Sequence, residues 1–299
     1  MKNAIAYYYN LHSYDIHQYK DTYKFSVGNL YYVLLPCDSS NIENIYELTK
    51  ELISRGIYTH QIIPNIENNL YTTINNINYT LLFLRENNDN IVTLDNITAF
   101  NNITSNIIFE EQNHHEWSIL WQNKIDYFEY QVSQFGKKYP KIRESFSYYV
   151  GLAETGISLY NNMKLNMNYY YIQHKRIKLD STFFDLYNPL NFIVDCKIRD
   201  VAEYFKDLFL TKDDIFDDII NYFQYENLST YDCLVFYIRM FYPSFYFDMY
   251  EKIISNEVSE DKLINIIKKT DSYENLLRRL YRYMSNYIRM PDIEWLNKL

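Results

Sequence analysis

The apolar residues of this chain change their spacing about a third of the way along, and that change limits the folds open to it. Early on they fall in short runs. Lys24–Val27 and Tyr31–Leu35 flank Gly28-Asn29, a turn signal that folds two strands into a hairpin. Ser40-Asn41-Ile42-Glu43 has the form of a capping box. It opens a helix with Ile45, Leu48, Leu52 and Ile53 on one face, which Gly56 closes. Strand candidates follow at Ile57–Ile63, Leu70–Ile74 and Tyr79–Phe83. Beyond about residue 110 the spacing is helical: Trp117, Leu120, Trp121, Ile125 and Phe128 form one stripe, and Phe146, Val150, Ala153 and Ile157 another, with Pro140 between. An irregular region over about residues 168–200 holds the strand-like pieces Tyr169–Ile172 and Phe192–Val194. Further helices are expected from Thr211-Lys-Asp-Asp214, from Ser229, and over about residues 260–268 and 274–289. The segment Tyr231–Tyr242 is apolar nearly all round, so it is expected in the core. The pattern predicts an α+β chain of two lobes. A small antiparallel sheet with one helix spans 1–100 and a larger, mainly helical lobe spans 101–299, the change falling between residues 84 and 105.

Composition removes several classes of function. The chain has 299 residues, 47 % of them hydrophobic and 22 % charged, so it can bury a sizeable core. Only 5 are glycine, and none of the five forms GxGxxG or GxxxxGK, which argues against a phosphate-cradling loop. A net charge of −9 argues against nucleic acid as a partner. The densest basic group, Arg278, Arg279, Arg282 and Arg289, reads as the solvated face of a helix. Cys37, Cys196 and Cys233 are isolated and fit a reducing compartment. No export signal and no window of eighteen apolar residues is found, so a cytoplasmic protein outside the membrane is expected.

The run Asn191–Phe205 carries the most chemistry. An apolar stretch, Phe192–Val194, ends on Asp195, and Arg199-Asp200 then opens a segment with Val201, Ala202, Phe205 and Leu208 at helical spacing. Such a pattern builds a metal or phosphate site, and it also caps helices. Asp213, Asp214, Asp217 and Asp218 are explained by the first turns of a helix. His114 and His115 are adjacent and fall on different faces, a poor arrangement for one metal. His174 stands alone, as structural histidines often do, about twenty residues before Asp195.

A small sheet lobe, a larger helical lobe and a histidine motif followed by a strand-end Asp is the layout of kinase-like folds. Trp121–Tyr127, Ser147–Glu154, Ile172–Arg176, Val194-Asp195 with Arg199–Tyr204, and Arg239–Phe247 resemble the aminoglycoside phosphotransferase and choline kinase superfamily. Within it they are most similar to the spore-coat CotS and YutH-type branch, over roughly residues 20–255. The resemblance implies a protein-kinase-like two-lobed fold with a catalytic region over 168–205. It sets Asp195 on the family's metal- and cofactor-binding Asp, Asp200 on the structural acid that leads the next helix, and His174 on the catalytic-loop histidine.

Phosphoryl transfer needs Mg²⁺ ligands, a phosphate-binding lysine and a base or positioning residue for the acceptor. Here the family's catalytic Asp falls at Arg176, which accepts no proton. Its second metal ligand, an Asn, falls at Ser181. Its lysine falls near Leu34 or Leu35, leaving Glu47 or Glu51 without that partner. The catalytic loop, His174 to Arg176, therefore reads as degenerate. Asp195 alone is a weak Mg²⁺ site, and Arg176 is expected to neutralise it in place of a metal. Arg199 and Asp200 read as structural. The expectation is a catalytically inactive kinase-fold protein with no cofactor. It would act as a binding or structural module on an unidentified protein partner, in the cytoplasm and, by resemblance, with the spore. The alternative is an ATP- and Mg²⁺-dependent small-molecule phosphotransferase with relocated residues.

Overall fold

The computed structural model describes residues 1–85, 88–105, 117–163 and 171–297, and the chain divides into two compact units, 1–110 with 172–194 and 111–171 with 195–299. In the first unit, α1 (Lys2–Tyr9) precedes β1 (Ile16–Tyr19), β2 (Thr22–Val27) and β3 (Leu30–Pro36). Then come α2 (Ile42–Ser54), β4 (Gln61–Ile63), β5 (Thr72–Ile74), β6 (Ile77–Leu84) and α3 (Leu94–Ile103). The strands form one antiparallel sheet in the order β1-β2-β3-β6-β4, with β5 also paired to β6. The expected hairpin is there. Val27 pairs with Leu30 across Gly28-Asn29, and Gly28 takes φ +60°, where a Cβ is disfavoured.

The run Val33-Leu34-Leu35 is apolar throughout because both faces of the sheet are covered. Val33 and Leu35 pack with Ile62, Leu82 and Leu84 against Ile42 and Ile45 of α2. Leu34 points the other way, into a cluster with Phe25, Leu81 and Ile5 and Tyr9 of α1. That second covering helix, α1, and the strand β1 were not foreseen from the spacing. Nor does the expected capping box form: Asn41 is the N-cap residue of α2, while the Ser40 hydroxyl and N–H both donate to Asp38. An Asp two residues upstream captures the serine before the helix can use it. Gly56 does close α2, with φ +78°.

The second unit opens with α4 (Trp117–Phe135) and α5 (Pro140–Asn162). The chain then passes through β7 (Tyr171–His174), α6 (Phe183–Tyr187) and β8 (Phe192–Asp195), β7 and β8 forming a two-stranded ladder. It continues as α7 (Arg199–Thr211), α8 (Phe216–Tyr225), α9 (Thr230–Phe241), α10 (Ser244–Ile254), α11 (Leu263–Ile267), α12 (Thr270–Met284) and α13 (Glu294–Asn297). The expected helix start at Thr211–Asp214 is a correction, since Thr211 ends α7 and α8 begins only at Phe216. As expected, Ser229 caps α9 through the Asp232 N–H, and residues 234–241 are buried.

Gly156 lets α5 approach α9, for a Cβ there would lie 3.0 Å from Phe241 Cβ and 3.2 Å from the Ile238 carbonyl oxygen. Tyrosine fills much of this core, and the stacked pair at its centre keeps both hydroxyls bonded. Tyr149 and Tyr246 stack at 3.8 Å, and their hydroxyls meet Thr270 and Ser145.

Candidate functional site

β7 ends on His174, and its ring is fully enclosed at 1 % exposure. The Nε2–H donates to the Leu186 carbonyl at 2.9 Å, and the ring packs between Phe100 and Phe192. All four residues belong to the first unit. His174 thus ties the strand to α6, the structural role common for a lone buried histidine. Asn191 secures the residues after it. Its side chain accepts the Arg176 N–H at 3.2 Å and donates to the Arg176 carbonyl at 2.9 Å, and its main-chain carbonyl takes the Lys175 N–H at 2.7 Å. Ser181 is spent on a turn, accepting the Lys178 N–H at 2.9 Å. The Asn191 and Ser181 side chains are therefore both engaged with main chain.

Asp195, the last residue of β8, is wholly buried at 0 % exposure. It does not cap α7, whose N-cap residue is Ile198. Its Oδ1 accepts the Cys196 N–H at 2.6 Å and the Trp117 indole N–H at 2.9 Å. Its Oδ2 accepts Arg239 at 2.6 Å and Arg199 at 3.1 Å. Both guanidinium groups also lie on the Trp117 ring, at 4.3 Å for Arg199 and 4.7 Å for Arg239. An ionised carboxylate offers about four lone-pair sites, and four donors take them here. Mg²⁺ demands oxygens at about 2.0–2.1 Å in near-octahedral array, so it would have to expel a guanidinium first. This donor set does not fit a bound Mg²⁺.

The charges around Asp195 continue as a small network. Lys206, almost fully buried, pairs with Glu203 at 2.7 Å and donates to the Tyr242 carbonyl at 3.1 Å. Glu203 also accepts the Ser244 hydroxyl at 2.6 Å. Asp200 is buried in the first turn of α7. Burial works against the Arg239 cation, but the Asp195 and Glu203 carboxylates outweigh it and hold its pKa above the ordinary value. Burial, with Asp195 beside it, pushes the Cys196 thiol up to about 12, so that residue is a neutral neighbour.

The remaining expected positions lie apart from this network. Leu35 stands in the sheet core, in the cluster against which Phe184 and Leu190 also pack. An apolar cluster thus occupies the position where the resemblance puts a phosphate-binding lysine. Glu47 and Glu51 face solvent and pair with Lys50 of the same helix and with Arg55, its C-cap residue. Asp213, Asp214 and Asp218 are drawn to different bases, Lys269, Arg279 and Lys212. His114, His115 and Glu116 lie outside the described residues. Arg176 was expected to neutralise Asp195; within its own unit the carboxylate is matched by Arg199 and Arg239. Arg239 and Trp117 were missed as site residues. Arg239 stood in a segment that carries the family resemblance, but nothing in its spacing ties it to an acid 44 residues earlier.

Comparison with known proteins gives this arrangement a context. A family model described as the spore coat putative kinase YutH matches residues 2–280. The endospore coat-associated protein YutH of Bacillus subtilis (strain 168) is 25 % identical over 209 residues, 61 % of this chain and 62 % of that protein. The chain thus aligns with less than two thirds of the length of that curated relative. An aminoglycoside phosphotransferase from Alicyclobacillus acidocaldarius subsp. acidocaldarius DSM 446 superposes with a TM-score of 0.68 at 8 % identity, covering 96 % of this chain and 97 % of its own. A spectinomycin phosphotransferase solved with AMP gives 0.56 at 11 % identity, covering 94 % and 96 %. An amicoumacin kinase gives 0.55 at 11 % identity, covering 97 % and 94 %. At such identities the likeness is one of fold, and the fold is kinase-like, as expected from the resemblance.

Proposed function

The chain belongs to the spore coat YutH family of putative kinases, and from that premise we propose that it is a kinase-fold protein without phosphotransferase activity. Its work is then that of a binding or structural module on a protein partner, in association with the spore coat. One observation carries the reading: the carboxylate expected to hold Mg²⁺ is closed by Trp117, Cys196, Arg199 and Arg239. Leu34 and Leu35 in place of a lysine support it, since nothing cationic stands on that strand to meet a phosphate. The net charge of −9 favours a protein over a nucleic acid as partner. No helix among the described residues is long and apolar enough to cross a membrane.

Thermal melting with millimolar ATP, with and without Mg²⁺, tests the proposal. A ligand held at 100 times its dissociation constant stabilises a fold by about 2.7 kcal/mol. In a chain of this size that is a rise of about 5 °C or more. No Mg²⁺-dependent rise is expected. A clear one would favour the active small-molecule phosphotransferase instead.

A further inference from the structure

His60 stands in the segment that leads into β4, within the first unit, and is 2 % exposed. Its imidazole stacks on Phe184 at 5.2 Å and meets Tyr58 and Tyr187 edge to face, at 5.8 and 6.2 Å. Main-chain bonds fasten the same joint. The Tyr187 carbonyl accepts the His60 N–H and the Thr59 hydroxyl, each at 3.0 Å. One imidazole and one carbonyl therefore hold α6 to the β4 edge of the sheet.

This aromatic cage suits the neutral ring. Tyr58 Oη lies 3.2 Å from Nδ1 and donates to it, while Nε2 has no accessible surface and turns to the Phe184 main chain. Protonation makes both nitrogens donors, so the Tyr58 hydroxyl loses its acceptor. The described carboxylates nearby are already engaged. Asp89 pairs with Lys24 at 3.0 Å, and Asp185 takes the Thr182 N–H and hydroxyl at 2.8 and 3.1 Å. The described cations oppose a further charge: Lys24 lies 5.3 Å over the Phe184 ring, and Arg85 lines the cavity beside His60. Burial lowers the pKa of the imidazole from 6.5 to about 4, with the Phe184 main chain pulling back and Lys24 adding to the fall.

We propose that His60 is an acid-released clasp: protonation expels its ring from the aromatic cage and frees α6 from the segment before β4. A cavity of about 300 Å³, lined by His60 with Asn88, Phe183, Phe184 and Tyr187, adjoins the ring and gives it a way out. Release solvates the imidazolium and bares the faces of Phe184 and Tyr187. A depressed pKa in the closed form sets the direction: the clasp holds fully above about pH 6.5 and loses its hold as the pH falls toward 4. Its opening constant is expected to rise about 20-fold between pH 7 and pH 5. The clasp is independent of whether the fold transfers phosphate.

Hydrogen exchange of the full chain at pH 7 and pH 5, corrected for the intrinsic rate at each pH, tests it. Protection over residues 58–63 and 183–187 is expected to fall about 20-fold, while the β2–β3 ladder keeps its protection. His60→Phe, which keeps a ring in the cage but cannot take a proton, is expected to abolish the fall. His174 also holds α6, through the Leu186 carbonyl, and is present in both proteins, so the comparison isolates His60. Titration of the wild-type ring by NMR, its signal assigned through contact with Phe184, needs no variant and is expected to show a midpoint near 4. The proposal is overturned if protection of the two segments is the same at both pH values, or falls equally in His60→Phe. It is equally overturned if the β2–β3 ladder loses protection in step with them, or if the ring titrates near 6.5.

Discussion

Arg239→Leu is expected to lower the stability of the fold by about 3–5 kcal/mol, the range for removing one member of a buried ion pair. The substitution leaves Asp195, at 0 % exposure, with one guanidinium instead of two. It also removes a cation from the face of Trp117. Leucine fills part of the space but supplies no donor, and the carboxylate cannot reach water. Arg199→Leu is expected to cost less, because Arg199 is the longer of the two contacts, 3.1 Å against 2.6 Å, and is nearer solvent. Arg239→Lys should fall between them, since an ammonium keeps the charge but not the planar fork. Urea unfolding of the three variants checks the ranking. Equal, small losses throughout would show that the network contributes little.

His174→Ala is the second large effect, with an expected loss of about 3 kcal/mol from two terms that combine. The Leu186 carbonyl loses the donor that now sits 2.9 Å away. The ring also leaves a cavity between Phe100 and Phe192. His174→Phe separates them, since it keeps the ring volume and forfeits only the hydrogen bond, so a loss of about 1–2 kcal/mol is expected. Denaturant midpoints of the two variants measure both terms. If His174 instead served chemistry at an open site, the alanine variant would melt with the wild type.

Much of the fold was legible because local chemistry and tertiary packing agree there. Gly28-Asn29 joins β2 to β3, and the all-round apolar α9 is buried, both as their patterns required. Where two local signals competed, reading failed. Ser40 suits a capping box, yet Asp38 takes its hydroxyl, and Asn41 ends up as the N-cap residue. The acids at Asp213 and Asp214 looked like a helix start but precede α8, with the Asp214 side chain accepting the Phe216 N–H. Part of the site could have been read in the same way, although the partner expected for Asp195 was Arg176. Asp195 and Arg199 are four residues apart, and their pairing is nearly local. Arg239 and Trp117 arrive from distant helices, and no spacing rule links them to Asp195. Tertiary packing alone decides that this acid is met by two cations and an indole.

These contacts make one residue the pivot of the proposed function. In a working phosphotransferase the strand-end acid would hold Mg²⁺ and contribute little to folding. Here Asp195 balances two buried arginines, and under the proposal its role is one of stability. The direct measurement is the melting temperature of wild-type protein and Asp195→Asn, each with and without Mg²⁺-ATP. The expected result is a fall of roughly 10 °C for the variant, from about 3–5 kcal/mol at 2–4 °C per kcal/mol, with neither protein responding to Mg²⁺-ATP. A variant that melts with the wild type, together with a Mg²⁺-ATP stabilisation present in the wild type and lost in the variant, would contradict it.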